Sequence, residues 1–230
     1  MHLKVKEEVE NISNILGKVP RALSNTQNTK EVADYLLPFS IGIEFECVQQ
    51  NSFNVEAFKS IPNIISVNVD KSEQRFRIPA GLEGLICLYD LSIALKNNSL
   101  LNPLSGLHYH VDCTSFFPSL NFDVLKKQDW ILKELDTWNY SGTYNKRCIN
   151  LGKFGWVGLR VYFKTLEFRI GEMTFEYELL FKRITHLCRI VSKIKETIVL
   201  EQIKKDNPIA LYEFNEVKVK EILSNRKVYI

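Results

Sequence analysis

Three short segments of the chain alternate ionisable and apolar side chains, and this alternation limits what they can fold into. They are 41–46 (IGIEFE), 107–111 (LHYHV) and 166–170 (LEFRI). Successive side chains of a β-strand point to opposite faces, so each segment predicts a strand with one apolar and one charged face. If the strands share a sheet, six ionisable residues meet on one surface: Glu44, Glu46, His108, His110, Glu167 and Arg169.

The composition is that of an ordinary globular protein. The chain has 230 residues, of which 45% are hydrophobic and 25% charged. This length predicts a single domain over 1–230, with a helical N-terminal extension over 1–38 and a helical C-terminal part over 174–230. A net charge of +3 does not demand nucleic acid or an anionic membrane as a partner.

The cellular location follows from what the sequence lacks. The first residues have no apolar core of a signal peptide, and no apolar run approaches the roughly 18 residues of a membrane span. The five cysteines are odd in number and lack CxxC spacing, which favours reduced thiols. We therefore expect a cytoplasmic protein with no membrane partner, or one in the host cytoplasm or the virion if the source is viral.

Periodicity and turn residues predict helices on both sides of a strand-rich middle. The expected helices cover 4–16, 30–37, 82–96, 121–138, 174–204 and 213–224. Besides 41–46 and 107–111, the expected strands cover 64–69, 73–78, 156–163 and 164–170, and 139–155 is expected to form a mobile loop. This order indicates an α+β fold.

The charged pairs have a plain interpretation and a functional one. As solvent-exposed pairs they would each contribute about 1 kcal/mol or less. However, their apolar flanks place them in a core sheet, where charges need partners, and two of the four histidines fall in one HxH. Three carboxylates about 4 Å apart would repel by several kcal/mol per pair at an effective dielectric constant near 20. A divalent cation would relieve that repulsion, and an oxygen-rich site favours Mg²⁺ or Mn²⁺.

Other known classes fit less well. A cupin needs a glutamate a few residues after its HxH, but here 112–116 reads DCTSF. An amidohydrolase needs more histidine and aspartate ligands than the chain supplies, and no P-loop, GxGxxG or GxSxG is present. A metal-dependent hydrolase stays a minor alternative. A basic helix over 182–195 also carries an apolar stripe, which favours a packed helix over a nucleic-acid interface.

The ordered motifs resemble the amidoligase family of glutamine synthetase-like carboxylate–amine ligases. GIEFE (42–46), GLHYHV (106–111) and TLEFR (165–169) carry the resemblance, supported by DKS (70–72), PAGLEGL (79–85) and GEMTF (171–175). It spans roughly 41–183. It implies a glutamine synthetase-like antiparallel sheet flanked by helices, whose concave active-site face holds ATP and two or more Mg²⁺ ions. It also implies ATP-dependent amide formation through an acyl-phosphate intermediate.

The resemblance implies a role for each matching acid and histidine. Glu44 and Glu46 match a pair of metal-binding carboxylates, and Glu167 matches a metal-ligating glutamate. His108 matches a histidine on the side of the metal and the phosphate, while His110 matches one nearer the acyl substrate. The implied partners are a small-molecule or peptide carboxylate and an amine, and many enzymes of this kind form homo-oligomers.

Cationic residues provide the candidates for binding phosphate. Arg169 matches an arginine that stabilises the transferred phosphoryl group, and its guanidinium offers a rigid fork of donors. Lys146, Arg147 and Arg160 are further candidates for clamping phosphates or the carboxylate, and an ordinary solvated cation is the alternative for each.

One position departs from the family pattern. The family carries a glutamate four residues before the proline that ends its second strand, and this chain has Arg75 there. Either Glu73 substitutes for it, or Arg75 and Arg77 bind an anion instead. The departure leaves a second hypothesis open, a catalytically reduced glutamine synthetase-like module with a structural or docking role.

Overall fold

The computed structural model describes residues 36–50, 53–70, 73–101, 105–138, 146–151 and 155–206. The helices expected over 4–16 and 213–224 lie outside these ranges. Of the helix expected over 30–37, only the last two residues are described, and Leu37 forms an isolated β-bridge with Gly81 instead.

The described residues form a mixed α+β fold, as predicted. The strands are β1 (Ile41–Phe45), β2 (Val48–Gln49), β3 (Ser66–Val69), β4 (Gln74–Ile78), β5 (Ser99–Leu100), β6 (Leu107–Asp112), β7 (Lys146–Asn150), β8 (Gly155–Arg160) and β9 (Thr165–Phe168). The helices are α1 (Glu56–Lys59), α2 (Gly81–Asn98), α3 (Phe122–Lys126), α4 (Asp129–Asp136) and α5 (Tyr177–Asp206).

Seven strands build the main sheet, in the order β3-β4-β1-β6-β9-β8-β7. Neighbouring strands are antiparallel except at one edge, where β7 and β8 run parallel. The expectation of a loop over 139–155 was therefore wrong for β7. Its composition is typical of a loop, but Ile149 packs against the core and the backbone pairs with β8.

Several helix boundaries differ from the prediction; α5, expected from residue 174, begins at Tyr177. The single helix expected over 121–138 is broken between α3 and α4, because Gln128 is buried in a non-helical conformation and accepts a hydrogen bond from Trp130 Nε1 (2.7 Å). Helix α2 continues to Asn98, where a loop was expected. The buried side chain of Asn98 donates to the carbonyl of Ala94 (2.8 Å) and so stabilises the last turn.

The two faces of the main sheet have opposite character. One face is apolar: side chains such as Ile43, Phe76 and Tyr109 are buried, and Phe45 contacts the ring of Phe175 just before α5 (6.1 Å between centroids). Helices α2 and α5 contact each other as well as strands of this sheet. Burying a large apolar side chain contributes about 1.5–3 kcal/mol, so this layer holds the fold together. The opposite face, here named the polar face, carries the ionisable residues.

The helices give one further observation. None of those in the described parts of the chain combines the length and apolar character needed to cross a bilayer.

Candidate metal centre on the polar face

Strand register brings the three motifs side by side. Glu44 on β1 lies opposite Arg75 of β4 on one side and opposite His108 of β6 on the other. Further along the strands, His110 of β6 lies opposite Glu167 of β9. Residues directly opposite each other share a face of the sheet, so residues more than 120 positions apart in sequence become neighbours.

Three of these residues form a candidate metal centre. Glu44, His108 and Glu167 each offer one ligand atom, and the three atoms lie within 4.8 Å of one another. His108 and Glu167 are almost fully buried, with exposed fractions of 4% and 2%. Three such groups this close together supply oxygen and nitrogen ligands for one cation, in addition to the charges that neighbouring arginines already balance. Because two of the three ligands are carboxylates, the set fits Mg²⁺ or Mn²⁺.

His110 lies between the two carboxylates of the centre. Its Nε2 is 3.2 Å from Glu44 Oε1 and 3.5 Å from Glu167 Oε1. That nitrogen is buried and is not aligned for a hydrogen bond to either carboxylate, while Nδ1 is 3.3 Å from Thr165 Oγ1. Nε2 therefore faces the space between the two carboxylates, where a ligand would bind.

Glu46 lies at the rim of the centre. Its Oε1 is 3.8 Å from His108 Nε2, and its Oε2 accepts a hydrogen bond from the backbone N–H of Gly106 (2.9 Å). With 41% of its side chain exposed, Glu46 stands outside the set of three ligands although it is next to His108.

Two arginines bind Glu167 from both sides. Arg169 Nε donates to Glu167 Oε1 (2.9 Å), and Arg160 from β8 donates to Oε2. Gly158 on β8 lies opposite Glu167, and a Cβ there would be 3.4 Å from Glu167 Oε2, an ordinary contact distance. Guanidinium groups pair well with carboxylates and phosphates. The centre therefore has an acidic end at Glu44 and a cationic end at these arginines.

The other two predicted cations differ in position. Arg147 on β7 donates to Asp136 of α4 through Nε (2.7 Å). Trp138, two residues after α4, contacts Tyr109 from the apolar face (6.4 Å between ring centroids). The structure thus does not bring Arg147 to the metal centre. Lys146 begins β7, but its side chain lies outside what the structure describes.

The electrostatics of the acidic end are dominated by Glu44. Burial raises the pKa of Glu44, but its contacts with His108 and His110 outweigh the burial and hold the pKa well below its usual range. Burial and the negative charge of Glu44 raise the pKa of Glu73. The positive charge of Arg75 lowers it, but by less, so the pKa stays raised. The pKa values of the two carboxyl groups that share Arg75 are therefore shifted in opposite directions.

A separate cluster lies further along the polar face. Arg77 Nη2 donates to Asp112 Oδ2 (2.9 Å) and lies 3.0 Å from Ser40 Oγ, which also donates to Asp112. Burial raises the pKa of Asp112, but hydrogen bonds from Thr114 and Ser40 and the charge of Arg77 outweigh it, so the pKa is lowered. All four side chains are engaged with one another.

Sequence reasoning missed two residues that shape the centre. Thr165 contacts His110, and Gly158 lies opposite Glu167 beside Arg160. Thr165 could have been found by extending the alternation of Glu167 and Arg169 by two residues. Gly158 could not, because its role depends on which strand lies next to β9.

Comparison with known proteins assigns neither a family nor a function to the chain. No protein-family model matches the chain, and neither a curated protein nor a solved structure matches it.

Proposed function

We propose that this protein is an ATP- and Mg²⁺-dependent ligase that joins a carboxylate to an amine through an acyl phosphate. One observation carries the proposal: ligand atoms of Glu44, His108 and Glu167 converge within 4.8 Å, next to two arginines bound to Glu167. This combination supplies ligands for a cation and donors for phosphate on one face. The ordered motifs that resemble the amidoligase family give the reaction class.

The side chains divide into three tasks. Glu44, His108 and Glu167 would hold the cation, which would neutralise phosphate charge during transfer. Arg160 and Arg169 would orient phosphate oxygens at the cationic end, where fixed positive charge stabilises the transition state of phosphoryl transfer. His110, whose buried Nε2 lies between Glu44 and Glu167, would bind an oxygen of the acyl substrate.

Binding of the nucleotide provides the first test. Isothermal titration calorimetry with Mg-ATP should show binding by the unaltered protein and a loss of at least about tenfold in affinity for Glu44→Gln, equivalent to about 1.4 kcal/mol. Glu83→Gln is the matched control, because Glu83 is an exposed glutamate on α2. Absence of binding by the unaltered protein, or equal affinity in Glu44→Gln and the control, would contradict the proposal.

A second candidate is a catalytically reduced module with a structural or docking role. It is favoured by the arginines that already neutralise the acids: two bind Glu167, and Arg75 lies beside Glu44. The two candidates differ in turnover. The ligase should release ADP when supplied with ATP, a mixture of carboxylates and hydroxylamine, which traps an acyl phosphate as a hydroxamate, and His108→Ala should abolish this release.

The same assay distinguishes the ligase from the third candidate, a metal-dependent hydrolase. A metal-dependent hydrolase would release phosphate or cleave its substrate without any amine. Binding of Mg-ATP without ADP release for any carboxylate and amine would favour the reduced module.

A further inference from the structure

Arg75 forms a cationic bridge at the acidic end of the metal centre. Its Nη2 pairs with Oε2 of Glu73, the residue just before β4, and its Nε is 3.6 Å from Glu44 Oε1 across the β4–β1 ladder. One guanidinium therefore contacts two carboxylates, and one of them also belongs to the three ligands of the centre.

The position of Glu44 makes this bridge significant. On one side its carboxylate faces His108 and His110, and on the other it faces Arg75 and Glu73. Without Arg75, Glu44 and Glu73 would be two adjacent carboxylates opposite the ligands of the centre, and such a pair attracts a second divalent cation. A guanidinium stays charged at every physiological pH, so it both neutralises the pair and repels a cation from it.

We infer that the guanidinium of Arg75 takes the place of a second divalent cation, so that the polar face binds one metal ion and not two. The inference rests on the proposed function for its single cation at Glu44, His108 and Glu167. It goes beyond that function because it specifies how many ions the centre takes and which residue sets the number.

Arg77 provides a matched control two residues along β4. It lies on the same face and is exposed to a similar degree, 47% compared with 45% for Arg75. Its guanidinium pairs with Asp112 and Ser40, away from the ligands of the centre. An identical substitution at Arg77 changes net charge by the same amount without removing the bridge at Glu44.

The experiment counts bound Mn²⁺ by electron paramagnetic resonance of the free ion together with calorimetry, using the full chain without nucleotide. We expect one Mn²⁺ per chain for the unaltered protein, two for Arg75→Glu, and one for Arg77→Gln, which is the control matched to Arg75→Gln. In Arg75→Glu the two ions should also show dipolar broadening, because both would share Glu44. Arg75→Gln should admit a second, weaker ion, and it serves as the test if Arg75→Glu does not fold.

The number of Mn²⁺ ions bound distinguishes failure of the inference from failure of the proposed function. Two ions in the unaltered protein would overturn the inference and leave the proposed function standing. A single ion in both Arg75 variants, or two ions in Arg77→Gln, would also overturn the inference alone. No ion in the unaltered protein would contradict the metal centre itself and thereby both proposals.

Discussion

Replacing Glu167 with glutamine removes one negative charge from the most buried ligand of the metal centre while nearly preserving its shape. In the unaltered protein Glu167 Oε1 accepts from Arg169 and Oε2 accepts from Arg160. Glutamine keeps one acceptor oxygen and turns the other position into a donor that faces a guanidinium. At least one charge-assisted hydrogen bond is lost, and both arginines lose their counter-charge.

The expected loss of stability follows from burial. Breaking a buried ion pair by removing one partner costs about 3–5 kcal/mol, because the other charge stays behind. Arg160 and Arg169 are 18% and 19% exposed, so water reaches them in part. Removal of Glu167 also relieves its repulsion with Glu44. Both effects reduce the loss, and we expect a value near the low end, about 3 kcal/mol.

Thermal unfolding followed by circular dichroism measures this loss. For a chain of this size 1 kcal/mol shifts Tm by about 2–4 °C, so Glu167→Gln should lower Tm by about 6–12 °C. Glu172→Gln is the control, because Glu172 is exposed and lies five residues further along the chain; its effect should stay within about 0.5 kcal/mol. Excess Mn²⁺ should raise the Tm of the unaltered protein and of the control but not that of Glu167→Gln. Equal Tm values for Glu167→Gln and Glu172→Gln would show that the pairing of Glu167 with the two arginines does not stabilise the fold.

Three further predictions concern the core and the sheet. Titration of the folded protein with Ellman's reagent should modify Cys148 alone, because the other four cysteines are buried, and unfolding should expose all five. Burial raises the pKa of Tyr109 to about 12, so its contribution to stability should be complete below about pH 10 and decline as the pH rises toward 12; Tm measured against pH should show a flatter alkaline decline in Tyr109→Phe. Phe168→Ala should cost about 3–5 kcal/mol in urea denaturation, whereas Phe163→Ala at an exposed turn should cost little.

Each of these has a clear contrary result. Rapid modification of several thiols in the folded protein would mean that the four cysteines described as buried are accessible to solvent. An alkaline decline that is equally steep in Tyr109→Phe would assign the effect to other groups. Equal losses for Phe168→Ala and Phe163→Ala would contradict the assignment of β9 to the core.

The faces of the central strands could be predicted because their cause is local. In 41–46 and 107–111 the alternation of side chains decides which residues are buried, and the structure buries Ile43 and Tyr109 while placing Glu44 and His110 on the polar face. The α+β class followed from the same patterns.

Strand partners and edge strands could not be predicted in the same way. The parallel pairing of β7 with β8 depends on contacts such as Ile149 opposite Val157, which no local pattern reveals. Arg147 illustrates the consequence for the site. Its charge and its place in a glycine-rich segment indicated a phosphate clamp, but the fold brings Asp136 of α4 next to it.

The composition of the centre was predictable, and its internal pairing was not. The ordered motifs indicated that Glu44, His108 and Glu167 would meet. Whether Arg160 and Arg169 bind Glu167, and whether Arg75 binds Glu44, depends on neighbouring strands and on distances of a few ångströms. Those pairings decide how much charge remains for a cation.

The most direct test of the metal centre is anomalous diffraction from crystals of the protein grown with Mn²⁺. We expect an anomalous peak within bonding distance of carboxylate oxygens of Glu44 and Glu167 and a ring nitrogen of His108. Absence of a peak between these three residues at saturating Mn²⁺, with the ion bound elsewhere or not at all, would contradict it.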